Sequence, residues 1–151
     1  MRKIIKFPAI KAQQSSEHTV VSFSAKASQI LDIASIDRLS RDKDGKLKGF
    51  QRPQITSHIT EIRDYLSKDD AVLPNPIVLA FTKHASIRKI DSKLVEFSID
   101  IANGAPGLVV DGQQRLTALS GIPGKNFELF VSALICRDEE ELRKQFILIN
   151  N

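Results

Sequence analysis

Apolar and polar positions recur along this chain with two periods, one near two residues and one near three and a half. Residues 18–24, His-Thr-Val-Val-Ser-Phe-Ser, predict a first strand. Residues 27–37 predict a helix with Ile30, Leu31 and Ala34 on one side. Ile55, Ile59, Ile62 and Leu66 recur at i, i+4, i+7 and i+11, one buried face of a second helix that Pro53 opens at its first turn. Pro74-Asn75-Pro76 marks a turn before a buried strand from Ile77 to Phe81. Val95, Phe97, Ile99 and Ile101 alternate with Glu96, Ser98 and Asp100, a half-exposed strand. The turn Asn103-Gly104-Ala105-Pro106-Gly107 leads into a short strand, 108–110, and a helix over 112–120 that stops at Gly121 and Pro123. Phe127, Leu129, Val131, Ala133 and Ile135 give another alternating strand, and Asp138 begins a last helix with Leu142, Phe146 and Ile149 turned inward. The order is strand, helix, helix, three strands, helix, strand, helix. It predicts an α+β fold, a small mixed β-sheet with packed helices, in one domain over residues 1–151.

Composition narrows the class of protein. The 151 residues are 42% hydrophobic and 26% charged, enough to bury a core and unlike a disordered tail. No apolar run approaches the roughly 18–20 residues that span a membrane. The basic start, Met1 to Pro8, lacks the apolar centre of a signal peptide. One cysteine, Cys136, rules out an internal disulfide and points to a reducing cytoplasm; its place is a small core residue at a strand end. His18, His58 and His84 stand far apart and share no ligand-like spacing with Cys136. One Tyr and no Trp leave little for a base-stacking surface. The net charge of +4 is a mild basic bias, gathered in Arg38 to Lys48 and at Lys83, Arg88, Lys89 and Lys93, where a solvated loop and a hairpin rim account for it better than a nucleic-acid groove does. The last helix runs into Ile149-Asn150-Asn151 without a stop signal, so the expectation is an amino-terminal part of a longer protein.

The candidate chemistry lies at Asp111-Gly112-Gln113-Gln114-Arg115. A strand turning sharply into a helix through Gly puts bare backbone N–H groups and an Arg at one point, which suits a phosphate. A second reading needs no ligand: Asp111 three residues before Gln114 is the pattern of a capping box. Gln51-Arg52, just before Pro53, would be an ordinary helix start on its own. As a partner to Arg115 across a cleft it would add a second guanidinium for a triphosphate and its Mg²⁺. No Gly-x-x-x-x-Gly-Lys-[Ser/Thr] loop occurs, so the chain is not a P-loop NTPase.

The pentapeptide resembles the signature of DGQHR-domain proteins, a branch of the ParB/sulfiredoxin-like superfamily that includes DndB-type proteins of DNA phosphorothioation systems and relatives beside 7-deazaguanine DNA-modification genes. Gly49-Phe50-Gln51-Arg52-Pro53 resembles that group's upstream motif, Phe146 to Asn150 its helix ending in Asn, and Lys6 to Gln14 a DndB-type start. Gln114 stands where the family name has His, and the Gln-Gln form also occurs in GmrSD-type modification-dependent restriction enzymes. Gln donates and accepts hydrogen bonds but does not shuttle protons near neutral pH. The resemblance implies ATP or another NTP held by Gly112, Arg115 and Thr117, closed over by Gln51 and Arg52, with Mg²⁺ on Asp111. Hydrolysis would then fall to Asp111, Gln113, Gln114 and Arg115, one of the glutamines orienting the attacking water. It also implies a cytoplasmic component of a DNA-modification or restriction defence system, with DNA and other system proteins as partners. A DNA-binding regulator and a nuclease domain are the other two expectations, and exposed strands such as 127–135 are expected edges for a homo-oligomer.

Overall fold

The computed structural model of the chain describes residues 2–36, 57–125 and 127–150. The expected loop from Ser40 to Gly49, the Gly49–Pro53 element with Gln51 and Arg52, and the expected helix start at Pro53 lie outside the described residues. In chain order the elements are β1 (Ile4–Ser15), β2 (His18–Lys26), α1 (Ala27–Ile33), β3 (Ala34–Ser35), α2 (residues 57–66), β4 (Ile77–Phe81), β5 (Ala85–Lys89), β6 (Leu94–Asp100), β7 (Gly107–Asp111), α3 (Gln113–Ser120), β8 (Glu128–Ile135) and α4 (Glu139–Ile149).

The strands make one mixed sheet in the order β3-β7-β4-β8-β2-β1-β6-β5. The β4–β8 and β3–β7 pairs are parallel and the rest antiparallel. The expected α+β class and mixed sheet are therefore what the chain adopts. One face carries the main core: Phe7, Phe23, Phe81 and Phe97 from the strands, with Ile30 and Ile33 of α1, Leu66 of α2 and Leu116 of α3. Phe97 sits among rings, its centroid 5.7 Å from Phe23 and 5.4 Å from Phe81. A smaller cluster, Ala80, Leu108, Val110, Leu134 and Cys136, lies under Leu142 and Phe146 of α4 on the other face. The face of α2 reads as expected, with Leu66 buried and Ile59 and Ile62 packed on the core.

Four sequence expectations change. The first helix ends at Ile33 rather than residue 37, because Ala34 and Ser35 go extended and pair with Gly107 and Leu108. That close approach needs Gly107, where a Cβ would stand 2.6 Å from the Phe81 ring. Strand β1 was not foreseen at all. It pairs with β6 over Ile4–Ile10 and with β2 from Ile10 onward, so Pro8 removes an N–H where only the β6 ladder is made. Strand 127–135 is no edge: β8 runs between β4 and β2, and the edges are β3 and β5. Ile149 is 39% exposed rather than turned inward.

Candidate functional site at the Asp111–Arg115 turn

The sequence places Asp111 at a helix start, but the fold makes it the last residue of β7. Gly112 is the N-cap of α3, in the left-handed region at φ 101°, and no side chain among the described residues caps the helix. Only glycine fits. A Cβ would lie 2.5 Å from Ile77 Cδ1 and 3.1 Å from an Arg115 guanidinium nitrogen. The capping-box reading of Asp111 and Gln114 is thereby removed. The first intrahelical bond is Leu116 N–H to the Gly112 carbonyl at 3.0 Å, so the backbone N–H groups of Gln113, Gln114 and Arg115 stand at the open end of the helix.

Two of the long side chains are engaged in holding this turn. Gln113 Nε2 donates to the carbonyls of Val109 and Val110 at 3.1 and 2.9 Å, folding its amide back over the end of β7. Arg115, with 16% of its side chain exposed, donates to the Asn75 carbonyl at 2.7 Å and the Pro76 carbonyl at 3.3 Å. It also lies 3.7 Å from the Asp111 carboxylate, itself half exposed. Arg115 therefore ties the turn before β4 to the start of α3, and its charge stays beside the free N–H groups. Thr117 donates to the Gln113 carbonyl one turn back at 2.8 Å. Gln114 is different: its half-buried side chain has no hydrogen-bond partner among the described residues.

The structure thus brings Asp111, Gly112, Gln113, Gln114, Arg115 and Thr117 to one place, while Gln51 and Arg52 lie outside the described residues. Sequence reasoning did not find the carbonyls of Asn75 and Pro76 as partners of Arg115. The Pro74-Asn75-Pro76 turn was legible, but nothing local says which helix start it meets. Among the described residues no three His, Cys, Asp or Glu side chains cluster as a metal site would require. The donor set fits a phosphate: three backbone N–H groups, a free amide and an adjacent guanidinium. It fits Mg²⁺ only as Mg²⁺ arrives with a nucleotide, held by one carboxylate, Asp111, and by the phosphates themselves.

No described helix is long and apolar enough to cross a membrane. No curated protein and no solved structure matches the chain. A family model does, that of DndB, described as DNA-sulfur modification-associated, and the match runs over residues 7–151. This chain belongs to the DndB family of DNA-sulfur modification-associated proteins.

Proposed function

We propose that the Asp111–Arg115 turn binds the phosphates of ATP or another NTP together with Mg²⁺, and that the chain serves its DNA-sulfur modification system in the cytoplasm as a nucleotide-dependent, ATP-hydrolysing component. The observation that carries this reading is the α3 N-terminus: among the described residues no side chain satisfies its N–H groups, and the Gln114 amide beside them has no described partner. Such a constellation suits an anion. In this reading Gln114 contacts phosphate or the attacking water. Gln113, Arg115 and Thr117 hold the turn, and Arg115 supplies positive charge. Asp111 takes the metal side. Bound Mg²⁺ would neutralise phosphate charge during hydrolysis. Gln51 and Arg52, which precede α2, complete the set of phosphate contacts. The system's other proteins, and DNA reached directly or through them, are its partners.

The DNA-binding regulator rests on less. Lys83, Arg88, Lys89 and Lys93 are exposed along the β5–β6 hairpin, but Arg88 is paired with Glu96 at 3.2 Å. No observation favours a nuclease or a 7-deazaguanine role. The test is calorimetric titration of ATP, CTP, GTP and dATP with Mg²⁺ into the full chain and into Gln114→Ala. Gln114→Ala should bind about ten- to a hundredfold more weakly, the loss of one hydrogen bond to a charged group. A folded wild type that binds none of the four overturns the proposal.

A further inference from the structure

Three side chains unused by the Asp111–Arg115 turn form a hydrogen-bonded line where the β1–β2 hairpin meets α4. The hairpin turns through Ser16-Glu17, and its register shifts between Gln13 and Ser15, just before the turn. Such a bulge re-aims the side chain that follows it. Ser15 and His18 become cross-strand partners, and Ser15 Oγ lies 2.7 Å from His18 Nδ1. The other ring nitrogen, Nε2, lies 2.7 Å from Glu141 Oε2, although Glu141 is 123 residues away in sequence. The second Glu141 oxygen accepts the Arg137 backbone N–H at 2.6 Å. That bond first, and the His18 contact second, hold the Glu141 carboxyl below its usual range, so it is a carboxylate at neutral pH.

The protonation pattern follows. A carboxylate only accepts, so Nε2 carries a proton, and in the neutral ring Nδ1 keeps its lone pair. The Ser15 hydroxyl then donates to Nδ1, while the Glu17 backbone N–H donates to Ser15 Oγ at 3.3 Å. Ser15 and His18 line a groove of about 460 Å³, whose other walls include Val20, Val78, Ser132 and Ile149. An alcohol, a base aimed at it, an acid fixing the base and an open groove are the parts of a nucleophile relay.

We propose that Ser15, His18 and Glu141 form a second site, independent of the nucleotide reading, that acts on esters or other activated acyl groups whose acyl part lies against Val78 and Ile149. Ser15 Oγ attacks the carbonyl carbon as its proton passes to Nδ1, and Glu141 steadies the imidazolium. The bond to the leaving alcohol then breaks, the alcohol takes the proton from Nδ1, and an acyl-Ser15 remains. Water attacks that ester, gives a proton to Nδ1, and the carboxylic acid leaves as Ser15 Oγ takes the proton back. Ser15 and His18 are the catalytic residues, and Glu141 is a positioning residue.

The test is labelling of the full chain with an alkyl fluorophosphonate, in which Oγ bonds to phosphorus and fluoride departs, followed by peptide mass mapping. The wild type should carry the adduct on Ser15, with a rate that rises with pH because only the neutral ring accepts the Ser15 proton. Ser15→Ala, at an exposed position, should keep the fold and lose the adduct. His18→Ala should slow labelling at least about a hundredfold. Glu141→Gln should displace the pH profile, because a Gln amide can donate to Nε2 and move the proton to Nδ1, where it blocks acceptance from Ser15. Release of 4-nitrophenolate from 4-nitrophenyl butyrate should follow the same order. A folded wild type that takes no label at Ser15, or a flat pH profile, makes the three residues a clasp between hairpin and helix and overturns the proposal.

Discussion

At Gly112 two constraints act on one atom: a φ of 101°, and Ile77 Cδ1 only 2.5 Å from where a Cβ would stand. Gly112→Ala should cost about 1–2 kcal/mol for the left-handed backbone and about 1–3 kcal/mol more for overpacking a buried isoleucine. Gly104 separates the two, since its φ is also 101° but nothing lies within 4 Å of its Cβ position. Urea unfolding should therefore rank wild type above Gly104→Ala and Gly104→Ala above Gly112→Ala; equal losses in the two variants would refute the steric part. Cys136 gives a second residue-level expectation. Burial first, then the charges of Glu141, Asp138 and Glu139, push its thiol up to about 11. Only roughly one thiol in ten thousand is then ionised at pH 7. A disulfide reagent should leave Cys136 untouched in the native chain and modify it promptly in guanidinium; fast native labelling would contradict its place under Leu142.

The elements most legible in the sequence are those with one apolar face. The α2 face from Ile59 to Leu66, the alternation in β6 and β8, and the start of α4 at Asp138 all stand where the pattern puts them. Asp138, expected to begin that helix, caps it by accepting the Glu141 N–H at 2.9 Å. Strand β1 was illegible for a physical reason. Its outward positions Ile4, Pro8 and Ile10 are as apolar as its inward Phe7 and Ala9, so no alternation appears, and Pro8 argues against a strand between two neighbours. The end of α1 was missed because the pairing of Ala34 with Gly107 is a tertiary event. The His18–Glu141 contact was hidden likewise: no spacing rule joins a hairpin to a helix across 123 residues. That contact has a pH signature. Glu141 titrates below its unfolded value, so its contribution is fully present above about pH 4.5 and is lost as pH falls through the folded value. Glu141→Gln lacks this linkage. The gap in urea midpoint between wild type and Glu141→Gln should close steadily as pH falls below about 4.5; a gap that widens in acid would contradict the lowered value.

Across the whole molecule the Asp111–Arg115 turn is where three separate pieces of chain meet: the end of β7, the start of α3 and the Asn75-Pro76 approach to β4, held by the Arg115 hydrogen bonds. Its existence could be read from the pentapeptide, but the division of labour within it could not. Arg115 reads as the phosphate ligand and Gln113 and Gln114 as equal candidates for orienting the attacking water; in the fold Arg115 and Gln113 are engaged with carbonyls and Gln114 has no described partner. Thermal denaturation with and without Mg²⁺–nucleotide distinguishes contact from support. A ligand that binds only the native chain at a hundred times its Kd adds about 2.7 kcal/mol, or roughly 5–10 °C for a domain of this size. Gln114→Ala should keep the ligand-free midpoint and show a smaller shift at the same nucleotide concentration. Arg115→Ala should lower the ligand-free midpoint, with a stability loss of about 1–3 kcal/mol for the carbonyls it no longer ties, because the approach to β4 and the start of α3 come apart together. The opposite pattern, a stable Arg115→Ala with no shift and a Gln114→Ala that behaves as wild type, would return the phosphate contact to Arg115. A shift of wild-type size in both variants would move the nucleotide away from this turn altogether.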